Sequence, residues 1–268
     1  MSETPHRHIH DLFDLTGRVA IVTGGAGLLG KQFSEALCEA GARVVVASRT
    51  VANCEAWAAT LRERGYDAIA LPLDVVNPES SKALVAATLE HYGRLDILVN
   101  NAYQRGIPAP PEHLTPESWS TWVDAGLSGA FYCAQAASHP MLAQQQGSII
   151  NIGSIYGLLG TDARLYPPGT PINASVAYNA IKGGIINLTR GLAISWAQRG
   201  IRVNCISPGG FPTETIDPEF ARRFADRVPM GRMGNKTDLK GAVVYLASDA
   251  SAYVTGHNLL VDGGWTAW

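Results

Sequence analysis

The sequence predicts a doubly wound α/β sheet, on three observations. Short β-branched apolar runs alternate with longer helical stretches along the chain, the runs are continuous rather than alternating with polar residues, and a glycine-rich turn joins the first run to a helix. Continuous runs suit strands buried on both faces of a parallel sheet. Strand–helix alternation suits right-handed crossovers. With 268 residues, 46% of them hydrophobic and 16% charged, the chain is long enough for one sizeable core. No internal repeat, low-complexity tract or linker divides it. A single domain is expected over 15–268, behind a flexible polar leader at 1–14.

About seven strands are expected: 18–23, 42–47, 68–73, 95–100, 148–152, 201–206 and 259–261. Helices are expected between them at 31–40, 51–64, 78–92, 116–145, 176–199 and 238–248, on both faces of the sheet. Two segments break the rhythm. Residues 161–174 (TDARLYPPGTPINA) and 209–233 are rich in Pro and Gly, and irregular segments of that length are expected to be lids or binding loops.

Composition narrows the function classes. A formal net charge of −2 lacks the basic excess that nucleic acid or an acidic membrane surface would demand. No apolar run reaches the 18–20 or so residues of a membrane helix, and the leader has no hydrophobic signal core. A soluble, cytoplasmic protein with no membrane or nucleic-acid partner is expected. Cys38, Cys54, Cys133 and Cys205 have no C-x-x-C spacing and read as small buried residues. His6, His8 and His10 alternate, which in an extended strand would place them on one face; a mobile terminus is the expected state, and no metal site is assigned.

The first strand runs into Thr23-Gly24-Gly25-Ala26-Gly27-Leu28-Leu29-Gly30, with a helix directly after. Glycines let the backbone turn sharply and approach a pyrophosphate, whose charge then sits on the helix N-terminus. The strand before and the helix after meet the context that such a loop requires. Some twenty residues on, an NAD site presents an acid to the ribose 2′-hydroxyl. Here the chain reads Ala47-Ser48-Arg49-Thr50, and Ser48 with Arg49 would hydrogen-bond and neutralise a 2′-phosphate. NADP is therefore preferred over NAD as cofactor; the alternative has Arg49 stacked on adenine or turned to solvent, leaving NAD open.

Tyr178 and Lys182 stand four apart in a helical stretch and share a face. A phenol with a pKa near 10 is a poor base at neutral pH, and an adjacent positive charge favours its phenolate. That pairing makes a general acid/base suited to working pH.

In order and at these separations, TGGAGLLG (23–30), Asp74-Val75, Asn100-Asn101-Ala102, Ser154, YNAIK (178–182), Ile201-Arg202-Val203-Asn204, Pro208-Gly209 with Thr213, and Val261-Asp262-Gly263-Gly264 resemble the compact short-chain dehydrogenase/reductases. The likeness runs from about Leu15 to Trp265. It implies a single-domain Rossmann-type fold and a Ser154, Tyr178, Lys182 catalytic set. Tyr178 would exchange the proton with the substrate oxygen, Lys182 would lower its pKa and hold the nicotinamide ribose, and Ser154 would hydrogen-bond the carbonyl or hydroxyl. Cofactor contacts are implied at Gly24, Gly27, Leu28, Leu29, Ser48, Arg49, Asp74 and Val75 (at the adenine), Asn101, Ala102, Pro208, Gly209 and Thr213.

The chain departs from that pattern in four places. The glycine spacing is T-G-x-x-G-x-x-G, with Leu28 where the compact type has Gly. Tyr103 follows Asn100-Asn101-Ala102 in place of Gly, so Tyr103 and Gln104 either project to the substrate or pack. Gly126 stands where the family has a helical Asn supporting a relay water; the Gly126 carbonyl is expected to hold that water. Ser154 and Tyr178 lie 24 positions apart rather than about a dozen, and the extra residues at 161–174 are expected to shape the substrate pocket, with Tyr156, Arg164 and Tyr166 as contacts.

The C-terminal VDGGWTAW resembles the tails of sugar-acid and polyol dehydrogenases of the family, gluconate 5-dehydrogenase-like enzymes among them. A sugar, sugar-acid or polyol substrate is expected, with a 3-oxoacyl thioester or another ketone as the alternative. A non-catalytic dinucleotide-binding regulator and a nucleotide-sugar epimerase are weaker alternatives. The resemblance further implies a homotetramer or homodimer built on the helices at 116–145 and 176–199, where Trp122, Phe131, Ile186, Leu188, Leu192 and Trp196 exceed what one sheet face needs.

Overall fold

The computed structural model describes residues 7–166 and 176–268. Seven parallel strands, β1 (Val19–Thr23), β2 (Arg43–Ser48), β3 (Ala68–Pro72), β4 (Ile97–Asn100), β5 (Gly147–Ile152), β6 (Ile201–Pro208) and β7 (Asn258–Val261), form one sheet in the order β3-β2-β1-β4-β5-β6-β7. The chain builds leftward from β1, then returns to start β4 on its other side. A crevice opens at the carboxyl ends of β1 and β4, where such a reversal places ligands.

Both faces of the sheet are covered, which is why its strands read as unbroken apolar runs. Alternate residues point opposite ways. Ala20, Val22, Val44, Val46, Ile97 and Val99 pack with α2 (Leu28–Glu39), α3 (Val51–Glu63) and α9 (Lys240–Ala247), through Phe33, Leu37, Leu61, Val243 and Leu246. Ile21, Val45, Leu98 and Ile149 face α4 (Pro78–Tyr92), α6 (Gly129–Gln144) and α7 (Val176–Trp196), through Leu84, Ala134, Met141 and Leu192. All four cysteines are buried and free.

Three expectations need correction, and one falls partly outside the described residues. The helix expected across 116–145 is two, α5 (Pro116–Val123) and α6, joined by one π-helical turn at Asp124–Ser128. The segment 209–233, read as loop, contains α8 (Pro218–Ala225). Within the leader, Ile9–Phe13 forms the short helix α1; His8 Nδ1 accepts from His10 N and their rings stack at 4.9 Å, while His6 lies outside the described residues. Trp122 and Ile186 are core residues of the subunit, as is Leu192, so they are not surplus apolar surface.

Candidate active site

The crevice is floored by the turn after β1. Thr23 closes it: its hydroxyl donates to the Val99 carbonyl at 3.2 Å and accepts from the amides of Asn101 (3.0 Å) and Ala102 (2.9 Å). The Asn101 amide donates in turn to the carbonyls of Thr23 and Gly24, both at 3.0 Å. Gly24 sits at φ +60°, and a Cβ there would lie 3.0 Å from the Ala102 backbone. Only glycine takes that conformation and that proximity without strain. The loop is thereby clamped to the end of β4 while α2 presents its N-terminus.

Above it lies a cleft of about 710 Å³ lined by Gly24, Gly27, Leu28, Leu29, Ser48, Arg49, Val75, Asn101, Ala102, Tyr103, Gln104, Ser154, Tyr178, Lys182, Pro208, Gly209 and Thr213. These include nearly every residue the sequence assigns to a cofactor. Asp74 is the exception; it is not part of the lining, its amide donating a hydrogen bond to Ser80 Oγ at 2.9 Å, while Leu73 and Val75 form the wall. Asn100 lies beneath, its amide donating to Asn151 Oδ1 (2.9 Å) and the Ala130 carbonyl (3.0 Å). The lining fits a dinucleotide: a glycine cradle and free helix amides for pyrophosphate, apolar walls for rings, and Ser48, Arg49, Thr50 and Asn53 where the adenosine ribose would sit.

Tyr178 and Lys182 lie on the first turns of α7, and Ser154 at the end of β5. The Tyr178 ring is caged by Tyr103, Trp122 and Tyr156 at centroid distances of 5.8, 6.1 and 6.4 Å. Burial pushes its phenol above the ordinary range, while a hydrogen bond with Ser154 and the charge of Arg105 pull it back. Ser154 Oγ also accepts from the Tyr156 amide at 3.1 Å, which fixes its rotamer. Lys182 is 7% exposed; its Nζ donates to the Ile152 carbonyl at 2.6 Å and lies 5.7 Å from the Tyr178 ring centre. Burial lowers its pKa to about 8. The charge of Arg105 thus lowers the phenol's pKa, and Lys182 lies one turn further along α7 with its own pKa brought down by burial.

A second cavity, of about 520 Å³, shares Tyr103, Arg105, Ser154, Tyr178, Gly209, Phe211 and Thr213 with the cleft and extends beyond it. Tyr156 and Tyr166 line it, as expected from the sequence. Arg164 does not: its guanidinium is bidentate on Asp162 (2.9 and 3.0 Å), and its side chain is 79% exposed. Sequence reasoning missed the far wall, Ile216, Phe220, Phe224 and Met233, which α8 and its flanks supply. It also missed Arg105, three residues past Ala102. Of the inserted segment, Ala163–Leu165 forms one 3₁₀ turn with Leu165 buried; its contacts at 167–174 fall outside the described residues.

Comparison with known proteins agrees with this geometry. Residues 25–266 match a family model described as "Enoyl-(Acyl carrier protein) reductase". The chain is 40% identical over 265 residues to galactitol 2-dehydrogenase of Rhizobium johnstonii, covering 96% of this chain and 98% of that protein. It is 35% identical to a 3-oxoacyl-[acyl-carrier-protein] reductase of Synechocystis, over 93% and 97% of the two chains. The crystal structure of a gluconate 5-dehydrogenase from Burkholderia cenocepacia in complex with NADP and tartrate superposes with a TM-score of 0.88 at 34% identity, over 97% and 100% of the chains. A glycine cradle at the sheet's reversal, a buried lysine one turn after a caged tyrosine, and likeness over nearly the whole chain have one reading: the protein is a member of the short-chain dehydrogenase/reductase family, an NAD(P)-dependent oxidoreductase of CH–OH groups.

Proposed function

We propose that this enzyme interconverts a secondary alcohol and a ketone on a sugar acid, sugar or polyol, with NADP(H) as preferred cofactor, in the cytoplasm and as a homotetramer or homodimer. One observation carries the reading: Ser154 and Tyr178 line both the dinucleotide cleft and the second cavity, where a substrate would meet the nicotinamide. When bound, the nicotinamide supplies or accepts the hydride. The chain's part is proton handling. Ser154 holds the substrate oxygen by hydrogen bond, and the Tyr178 phenol gives its proton to that oxygen in reduction or takes it back in oxidation. Lys182 keeps a positive charge beneath the site, and the three surrounding aromatic rings hold the Tyr178 ring in place. The choice of NADP(H) is supported by Arg49, which lines the adenosine end, and by Ser48 and Thr50 flanking it in place of a carboxylate. The sugar reading is supported by the names of relatives, galactitol 2-dehydrogenase and gluconate 5-dehydrogenase.

A second reading has its own observation. Ile216, Phe220, Phe224 and Met233 give the outer cavity an apolar wall, which suits the acyl chain of a 3-oxoacyl thioester. A spectrophotometric panel at 340 nm separates the two. NADPH and NADH are each paired with 5-keto-gluconate, neutral ketoses, a 3-oxoacyl thioester and a cyclic ketone, with the oxidative reactions alongside. NADPH oxidation by a keto-sugar is expected; turnover confined to the thioester moves the assignment to the second reading, and preference for NADH removes Arg49 as a phosphate reader.

A further inference from the structure

The charged lining of the outer cavity is sparse: Arg105 and Asp217. Asp217 is committed as the N-cap of α8, where its Oδ1 accepts from the Phe220 amide at 2.8 Å. Arg105 differs from most arginines of the chain in having no carboxylate partner among the described residues. Its Nε donates to the Tyr103 hydroxyl at 2.6 Å, and this is the only hydrogen bond its guanidinium makes among them. The two terminal nitrogens, a planar fork of donors, are left for something else at the junction of the cavities.

The fork is held in place from behind. Tyr103 lies between Trp122 (6.1 Å, 30° between planes) and Tyr178 (5.8 Å), and Trp122 is wholly buried. The backbone just past Arg105 is pinned too, because a Cβ at Gly106 would lie 2.5 Å from the Trp122 ring and 2.6 Å from the Ser118 carbonyl. A guanidinium steadied this way, on an exposed side chain that lines the cavity with no carboxylate beside it among the described residues, suits the bidentate geometry of a substrate carboxylate. Arg105 and Tyr178 line the same two cavities, so an anion held there shares its cavity with the reacting hydroxyl.

We propose that Arg105 is the anion anchor of the substrate cavity, gripping a substrate carboxylate through its free fork while Ser154 and Tyr178 hold the reacting oxygen. It rests on the reading of the outer cavity as the substrate site, and it narrows the substrate class to an acid over the matching neutral polyol.

The test uses pairs that differ only in that charge. Calorimetry of the NADP⁺-loaded protein compares D-gluconate with D-glucitol; kinetics with NADPH compare 4-oxocyclohexanecarboxylate with its methyl ester. The wild type is expected to prefer the acid at least tenfold. Arg105→Gln is expected to cut that preference at least tenfold, and Arg105→Lys, which keeps the charge without the fork, to fall between. The readout is the acid-to-neutral ratio, which a damaged fold would not shift. A wild type with no preference for the acid in either pair overturns the inference, and so does an Arg105→Gln variant that weakens both members equally. If neither sugar compound binds while the ring pair still shows the preference and its loss, Arg105 stands as the anchor and the sugar reading falls.

Discussion

Lys182 is the residue at which stability and chemistry pull apart. Its ammonium is buried with one backbone carbonyl for a partner, and its pKa falls from 10.5 to about 8. Between those values the unfolded chain holds a proton that the folded apo-protein has shed, so this group makes stability rise with pH from about 8 to 10.5 and costs about 3 kcal/mol below 8. Lys182→Met is expected to remove that cost, less about 1 kcal/mol for the Ile152 carbonyl left without a donor. Urea unfolding at pH 7 is expected to find the variant as stable as the wild type or more so. At pH 10 the difference reverses or vanishes. Turnover is expected to drop at least a hundredfold, and loss of stability at pH 7 would contradict the account. Gly126 poses the converse case. A Cβ at that position would run into Ile181 Cδ1, so Gly126→Asn alone is expected to lose about 1–3 kcal/mol by overpacking and to gain no turnover. Pairing it with Ile181→Ala makes the room, and only in that pair would a rise in turnover show that the natural proton relay is incomplete.

At the scale of elements, α8 and the turn at Ala163–Leu165 close over the outer cavity as one piece. Arg223 Nη1 donates to the carbonyls of Arg164 (3.3 Å) and Tyr166 (3.4 Å), its Nε donates to Glu219 at 2.7 Å, and Tyr166 packs on Phe220 at 5.1 Å. Arg223→Ala is expected to loosen that cover and raise KM severalfold. The cofactor dissociation constant should stay the same and stability change by less than about 1 kcal/mol, since the ion pair is exposed. Steady-state kinetics beside a cofactor fluorescence titration separate these effects. The strands and most helices were legible because burial on both faces leaves an unmistakable apolar run. The elements that escaped did so for local reasons. The Pro and Gly content of 209–233 reads as loop, yet Pro218 stands in the first turn of α8, where its missing amide costs nothing, behind an Asp217 cap. The π turn between α5 and α6 has no composition of its own. The choice between Arg164 and Arg105 as the substrate-facing cation depends on a partner: Asp162 captures the first, and among the described residues only the Tyr103 hydroxyl bonds the guanidinium of the second. Charge type is visible in a sequence; which charges are already neutralised is a property of the fold.

For the whole molecule, the proposed oligomer has to be built on apolar surface that core packing leaves uncovered. Core packing accounts for Trp122, Ile186 and Leu192, but it leaves Phe131 on α6 at 36% exposure and Ile194 on α7 at 83%. A second apolar region lies far along the chain, with Leu260 on β7 and a Trp268 that is 80% exposed. A dihedral tetramer needs two patches on each subunit, since each isologous interface pairs a patch with its own copy; we assign Phe131 and Ile194 to one and the C-terminal residues to the other. A dimer needs only one. The two arrangements respond differently to charge placed on a patch. Phe131→Asp with Ile194→Asp buries carboxylates at the first interface, and deletion of residues 266–268 strips the second. In a tetramer, light scattering behind size exclusion should give dimers from either change alone and monomers from the two together. In a dimer, one change should yield monomers and the other should leave the mass untouched, identifying the patch in use. A wild type that runs as a monomer at micromolar concentration would mean that both patches serve something other than self-association.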